Sequence, residues 1–223
     1  MVDEQRKVGD IIELAEVCQT IMRFPPQHRR GSAADSPRMI WNLLRAGQME
    51  WLIGEDESSF LEVKSVGYDL MQWPGKIELA QDVARFANSE EGGVLIVGFR
   101  TKRRLGGETI SKLTPIDCQD GVVDQYRKVI DSRVYPLIDG LEVERFQQSN
   151  GNAILAVKVP RQNDESKPFL VHGAIVGDKY EGAFISIVRR RADGSVPVTA
   201  PAIHAYLAAG RRAFHRASEF DTS

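Results

Sequence analysis

Residues 78–99 read ELAQDVARFANSEEGGVLIVGF and carry three successive structural signals. Apolar residues recur at helical spacing in the first part, which predicts an amphipathic helix over 76–89. Gly92 and Gly93 favour a tight corner, because glycine accepts left-handed backbone conformations at little cost. The apolar run VLIVGF (94–99) is typical of a central strand that is buried on both faces. The stretch therefore predicts a helix packed on the middle of a sheet.

The neighbouring segments extend this unit in both directions. FLEVKSV (60–66) alternates as a strand, and apolar spacing predicts a helix over 120–134. GLEVERF (140–146) and AILAVKVP (153–160) alternate as strands around a polar turn. The predicted order is β-α-β-α-β-β, which indicates an α/β (α+β) fold with a mixed β-sheet. Further predictions are a basic loop at 100–108, a strand or hairpin at 167–177 and a strand at 183–191.

Both ends of the chain are predicted to be helical. Residues 8–24 have an amphipathic pattern followed by two prolines and a polar stretch, so residues 1–37 are interpreted as a helical extension and linker. Residues 38–217 are interpreted as one domain with a C-terminal helix from about residue 200, where Thr199 is a suitable N-cap. Residues 218–223 are interpreted as a tail.

Composition excludes several classes of protein. The chain has 223 residues, of which 42% are hydrophobic and 27% are charged, which suits a protein with a folded core. Its two cysteines, Cys18 and Cys118, exclude a disulfide scaffold and a four-cysteine zinc site. Because no apolar run approaches the ~18 residues of a membrane span, we expect a cytoplasmic protein without a membrane partner. With a net charge of −2 the chain as a whole is not a polycation, although residues 100–223 hold 19 basic and 15 acidic groups.

The segment GEDESSFLEVKS (54–65) contains a candidate catalytic group. Strand alternation places Glu62 and Lys64 on one face, and Glu57 precedes the strand closely enough to reach that face. Two carboxylates, Glu57 and Glu62, are suited to binding Mg²⁺ or Mn²⁺, and the lysine to holding a water or a phosphate. The pattern thus predicts metal-assisted phosphodiester hydrolysis. The alternative is a same-face ion pair at the edge of a sheet.

Two basic clusters are candidates for nucleic-acid binding, because lysine and arginine contacts to phosphates dominate such affinity. One cluster leaves the central strand and the other ends a later strand, so both are expected to flank one groove. The alternative for each is an ordinary solvated surface. Period-2 alternation sends Arg189 and Arg191 to the same face and Arg190 to the other. The candidate binding residues are Arg100, Lys102, Arg103, Arg104, Arg189 and Arg191.

Taken in order, these motifs resemble the Schlafen AlbA-type domain family over roughly residues 40–210. The resemblance begins with Glu57, FLEVK (60–64) and ARFANSEEGGVLIVGF (84–99). It continues with ILAVKVPRQNDESKPFLV (154–171) and FISIVRRRADGSVPVT (184–199). It implies an Alba-like core and nucleic-acid binding, with a regulatory or defence role in prokaryotes.

The resemblance also bears on catalysis. Vertebrate relatives are endoribonucleases that act on transfer and ribosomal RNA with three acidic residues. Glu57 and Glu62 match two of these acids. The third follows the central strand in the family, where this chain has Arg100 instead. Nothing in the sequence assigns the role to the remaining candidates Asp69, Asp117 and Asp120.

Three functions are therefore carried forward. The first is binding of DNA or RNA through the basic clusters. The second is metal-dependent endoribonuclease activity with Mg²⁺ or Mn²⁺ and Glu57, Glu62 and Lys64 as its catalytic residues. The third is a protein-interaction module in which the helix at 8–24 mediates partner docking or homodimer formation. No nucleotide cofactor is expected, because the sequence lacks both phosphate-binding glycine motifs.

Overall fold

The computed structural model describes residues 35–104, 107–148, 151–176, 179–191, 194–197, 201 and 203–210. Helices in these residues are α1 (Pro37–Arg45), α2 (Trp73–Ala87) and α3 (Val122–Arg133), with 3₁₀ turns at Met49–Leu52 and Asp164–Ser166. Residues 203–210 are also helical, whereas the predicted helix at 8–24 lies outside the described residues. The strands are β1 (Leu61–Lys64), β2 (Gly93–Val97), β3 (Phe99–Arg104), β4 (Gly107–Leu113), β5 (Val134–Tyr135), β6 (Glu142–Gln147), β7 (Ala153–Val159), β8 (Leu170–Val176), β9 (Lys179–Ser186), β10 (Val188–Arg191) and β11 (Gly194–Pro197).

A four-stranded sheet in the order β1-β2-β7-β6 forms the centre of the molecule. β1 and β2 run parallel, with Glu62 opposite Leu95, while the β2–β7 and β7–β6 pairs are antiparallel. The predicted α/β (α+β) fold with a mixed sheet is confirmed. Smaller sheets pair β3 with β4 and β10 with β11, and a three-stranded sheet has the order β5-β8-β9. Within the described residues, no helix has the length and apolar content that crossing a bilayer requires.

Alternation along β2 divides the core into two layers. Leu95 and Val97 pack in a layer with α2 and α3, whereas Val94 and Ile96 pack with α1 on the opposite face. Each β2 residue is buried, as the apolar run predicts for a central strand. On the α1 side, the buried residues that precede β1 are Ile40, Trp41, Leu43, Leu44, Met49 and Leu52.

The glycine corner between α2 and β2 has the predicted form. Gly92 has a φ of +78°, and a Cβ at this position would lie 2.2 Å from the carbonyl oxygen of Val159. The site therefore needs a residue without a side chain. Asn88 follows α2 and accepts a 2.7 Å hydrogen bond from the Phe169 amide, while its own amide group donates to the Phe169 and Val188 carbonyls. The corner thus ties helix α2 to the strands that come later in the chain.

Two sequence-based assignments were wrong. The segment 100–108 was predicted to be a loop, yet its first half belongs to β3, which pairs with β4 in an antiparallel hairpin. Gly98, with a φ of +113°, lets the chain leave the central strand and enter this hairpin directly. The single strand predicted at 183–191 is divided at Ile187 between β9 and β10.

Candidate nucleic-acid interface and adjoining cleft

Glu62 and Lys64 lie on the side of the sheet that α2 covers. Their neighbours Leu61 and Val63 pack into the opposite core layer with α1, so the predicted alternation is correct. β1 is the edge strand of the sheet, and only β2 pairs with it among the described strands. Two polar residues on its inner face must therefore find polar partners on the helix above them.

Helix α2 supplies those partners as Asp82 and Arg85. An Nη2 atom of Arg85 lies 3.1 Å from Oε2 of Glu62 and 2.9 Å from Oδ1 of Asp82. Lys64 Nζ lies 3.2 Å from Oε1 of Glu62 and 3.4 Å from Oδ2 of Asp82. Glu62, Asp82 and Arg85 are only 9%, 7% and 5% exposed. We call these four residues the charge cluster, in which two cations face two carboxylates.

The surroundings of the charge cluster change the proton affinity of two groups. Burial opposes the charge of Lys64, but the carboxylates of Asp82, Glu62 and Glu78 outweigh it and raise its pKa above the usual 10.5. Tyr68 donates a 2.5 Å hydrogen bond to Oδ2 of Asp82. Burial and the nearby Asp82 charge raise the pKa of Tyr68 well above 10.0. Lys64 is therefore held as a cation among carboxylates, where it serves as a counterion.

A cleft of about 400 Å³ opens beside the charge cluster. Glu57, which precedes β1, accepts a 3.0 Å hydrogen bond from the Val63 amide through its Oε1 atom, so it does reach back to the strand as predicted. Glu108 enters the cleft from β4, and its carboxylate accepts a hydrogen bond from the hydroxyl of Thr101. We call this space the acidic cleft, and its lining residues are Glu57, Glu62, Val63, Lys64, Ser65, Arg100, Thr101 and Glu108.

The donor set of the acidic cleft does not fit a divalent metal ion. Both carboxylate oxygens of Glu62 face cations of the charge cluster, and Arg100 lines the same cleft. In the part of the chain that the structure describes, no three histidine, cysteine, aspartate or glutamate side chains are arranged to hold a metal ion. Hard cations prefer six or more oxygen ligands, several of them from carboxylates or water.

The basic hairpin, formed by β3 and β4, projects from the carboxyl end of β2. It contains five basic residues and one acidic residue, Glu108. Arg100 lies opposite Lys112, so both side chains are on one face of the hairpin. Within the described residues, none of the five forms an ion pair, and all are exposed: Arg100, Lys102, Arg103, Arg104 and Lys112.

The segment ahead of β1 pairs with the middle of β4 and so fixes the basic hairpin. Gly54 donates to the Ile110 carbonyl, Ile110 donates to the Glu55 carbonyl, and Glu57 donates to the Glu108 carbonyl, each at 2.8 Å. Residues 54–57 thus lie along the outer edge of β4. Ile110 is buried in the α1-side layer, which anchors the hairpin to the core.

The structure brings together only part of the predicted site. Glu57, Glu62, Lys64 and Arg100 line one cleft, and Lys102, Arg103 and Arg104 follow along β3. Arg189 and Arg191 belong to β10, and their side chains lie outside the described part of the chain. β10 begins at Val188, whose carbonyl is hydrogen-bonded to Asn88 near the amino end of β2. The basic hairpin leaves the other end of β2, so the two predicted basic clusters begin at opposite ends of that strand.

Sequence reasoning missed Glu108, Lys112, Asp82 and Arg85. Gly106–Gly107 between two short runs is a recognisable hairpin signal, and it would have placed Glu108 and Lys112 on a strand beside β3. Asp82 and Arg85 are spaced i, i+3 on a helix and therefore share a face, which is an accessible sign of a paired charge. None of Asp69, Asp117 and Asp120 lines the acidic cleft.

Comparison with known proteins identifies one family model. The model, Schlafen, AlbA_2, matches residues 57–198, more than half of the chain. The match begins after α1, although α1 covers one face of the sheet. No curated protein matches the sequence.

Solved structures provide distant similarities. The DIP2311 protein from Corynebacterium diphtheriae is 20% identical with a TM-score of 0.35, and the alignment covers 63% of this chain and 22% of that one. The N-terminal domain of an ATP-dependent DNA helicase RecG-related protein from Nitrosomonas europaea is 21% identical with a TM-score of 0.42. That alignment covers 65% of this chain and 85% of the domain.

Proposed function

The chain belongs to the Schlafen AlbA_2 family, and we propose that it binds nucleic acid through its basic hairpin. One observation carries the proposal: five exposed cations stand on two paired strands beside a single carboxylate. The carboxylate of Glu108 already accepts a hydrogen bond from Thr101 on the neighbouring strand. Residues 54–57, which pair with β4, add the carboxylates of Glu55, Asp56 and Glu57 on that side. β3, with four cations, is therefore the strand that keeps a surplus of positive charge for an external anion.

A polyanion is the partner that suits this surplus. Phosphates neutralised by lysine and arginine release condensed counterions, which makes binding favourable and strongly dependent on salt. A hairpin spaces its side chains along two parallel rows, as contacts to successive phosphates require. The proposal extends to nucleic acid in general, because contacts from lysine and arginine to phosphates carry no information about base identity.

The test is a salt series of binding measurements with labelled duplex DNA, single-stranded DNA and transfer RNA. Replacing Arg103 and Arg104 together by Ala should weaken binding. It should reduce the slope of log K against log salt by about 1, because strand alternation puts the two side chains on opposite faces of β3. The matched control is Arg127→Ala with Lys128→Ala, which removes two adjacent exposed cations from α3. Equal slopes for the hairpin variant and the unmodified chain would reject the proposal.

A further inference from the structure

Glu62 has its charge balanced from inside the protein. One of its oxygens faces Lys64 at 3.2 Å and the other faces Arg85 at 3.1 Å. A buried carboxylate is stable only when cations or hydrogen-bond donors surround it. Here both cations come from the same domain, one from β1 and one from α2.

The second carboxylate of the charge cluster is balanced by the same cations. Asp82 lies 2.9 Å from Arg85 and 3.4 Å from Lys64, and it accepts the hydroxyl of Tyr68. The cluster therefore has two negative and two positive groups, and the more exposed carboxylate of Glu78 lies beside it, 3.5 Å from Lys64. A divalent cation bound to Glu62 would add two positive charges beside Lys64 and Arg85, which like-charge repulsion opposes.

A third cation lines the acidic cleft and adds to this effect. Arg100 lines the cleft at the start of β3, and its guanidinium is always charged. Glu57 uses one oxygen to accept the Val63 amide, and Glu108 accepts the Thr101 hydroxyl. Glu57 and Glu108 thus each accept a hydrogen bond from the chain itself.

We infer that Lys64 and Arg85 neutralise the charge of Glu62 as a divalent cation would, and that this protein works without a metal ion at the acidic cleft. The inference rests on the proposed function in one respect: nucleic-acid binding at the neighbouring hairpin is then independent of metal. Glu62 is a positioning residue that joins β1 to α2. Glu57 and Glu108 shape the cleft beside the hairpin.

The first experiment titrates the full-length chain with Mn²⁺ and follows free Mn²⁺ by electron paramagnetic resonance. We expect no saturable binding, and no difference in melting temperature between Mn²⁺ and chelator. Saturable uptake that Glu57→Gln removes would overturn the inference. The matched control is Glu50→Gln, an exposed carboxylate outside the cleft. Glu57 is the chosen test residue because it is less buried than Glu62, so its variant is expected to fold.

The second experiment separates this inference from the proposed function. Affinity for duplex DNA and transfer RNA is measured in Mn²⁺ and in chelator at constant ionic strength, and we expect the same affinity in both. A loss of binding in chelator would overturn the inference while supporting nucleic-acid binding. If no nucleic acid binds under either condition, the proposed function fails, and the Mn²⁺ titration of the protein alone still decides the metal question.

Discussion

The charge cluster and the basic hairpin use the same kinds of side chain with opposite results. In the cluster, Lys64 and Arg85 face Glu62 and Asp82 under helix α2, and the charges cancel. On the hairpin, five cations stand in solvent with one carboxylate among them. The difference shows that cancelled charges hold strand and helix together, whereas uncancelled charges are available to a partner. Both regions adjoin the acidic cleft, so residue type alone does not reveal the role.

The largest loss of stability is expected at Arg85. Arg85→Met should lower the free energy of unfolding by about 3–5 kcal/mol, because it leaves two buried carboxylates with one cation. Denaturant unfolding measures the loss. Arg127→Met, on the exposed face of α3, is the control and should have little effect. A loss below about 1 kcal/mol for Arg85→Met would contradict the role assigned to the cluster.

High pH should weaken the charge cluster selectively. The folded-state pKa values of Lys64 and Tyr68 lie above their ordinary values of 10.5 and 10.0, so the stability they contribute is present below pH 10. It is lost as the pH rises through the raised values. Tyr126, with a pKa raised to about 12, acts in the same direction. Unfolding free energy should fall by about 1 kcal/mol or more between pH 9 and pH 11.

Tyr68→Phe tests this alkaline effect. The variant cannot ionise at position 68, so its stability should decline less steeply with pH than that of the unmodified chain. Tyr135→Phe, at a side chain that is 72% exposed, is the control variant. Parallel pH profiles for Tyr68→Phe and the unmodified chain would show that the pKa of Tyr68 is not raised in the folded state.

The smallest effect on stability is expected at the hairpin. Arg103→Ala combined with Arg104→Ala should change the free energy of unfolding by no more than about 0.5 kcal/mol, because both side chains are exposed and form no ion pair within the described residues. The measurement is the same denaturant series that is applied to Arg85→Met. A large loss would mean that these cations support the fold, and would remove the contrast between the two regions.

The central unit was predictable because its signals are local. The helix before Gly92, the glycine corner and the apolar strand each follow from a few neighbouring residues. The basic hairpin was not predicted, because its strands extend into solvent and FRTKRR (99–104) has no apolar alternation. Strands are most readily recognised when one face is buried, and in β3 only Phe99 is buried.

The candidate site was predictable only in part. Alternation correctly placed Glu62 and Lys64 on one face, but their partners Asp82 and Arg85 depend on which helix covers the edge strand. That is a property of topology, which no local pattern contains. The packing of helix α1 depends on topology in the same way. It covers one face of the sheet, although it precedes the residues that the family model matches.

The pairing of residues 54–57 along β4 has a consequence for the behaviour of the protein at high concentration. An open strand edge is a template for aggregation, because its amides and carbonyls can pair with another chain. Here the chain's own segment pairs with the outer edge of β4 through Gly54, Ile110 and Glu57. The opposite strand, β3, carries four cations that repel an identical strand. The hairpin can therefore extend into solvent without promoting fibrous self-assembly.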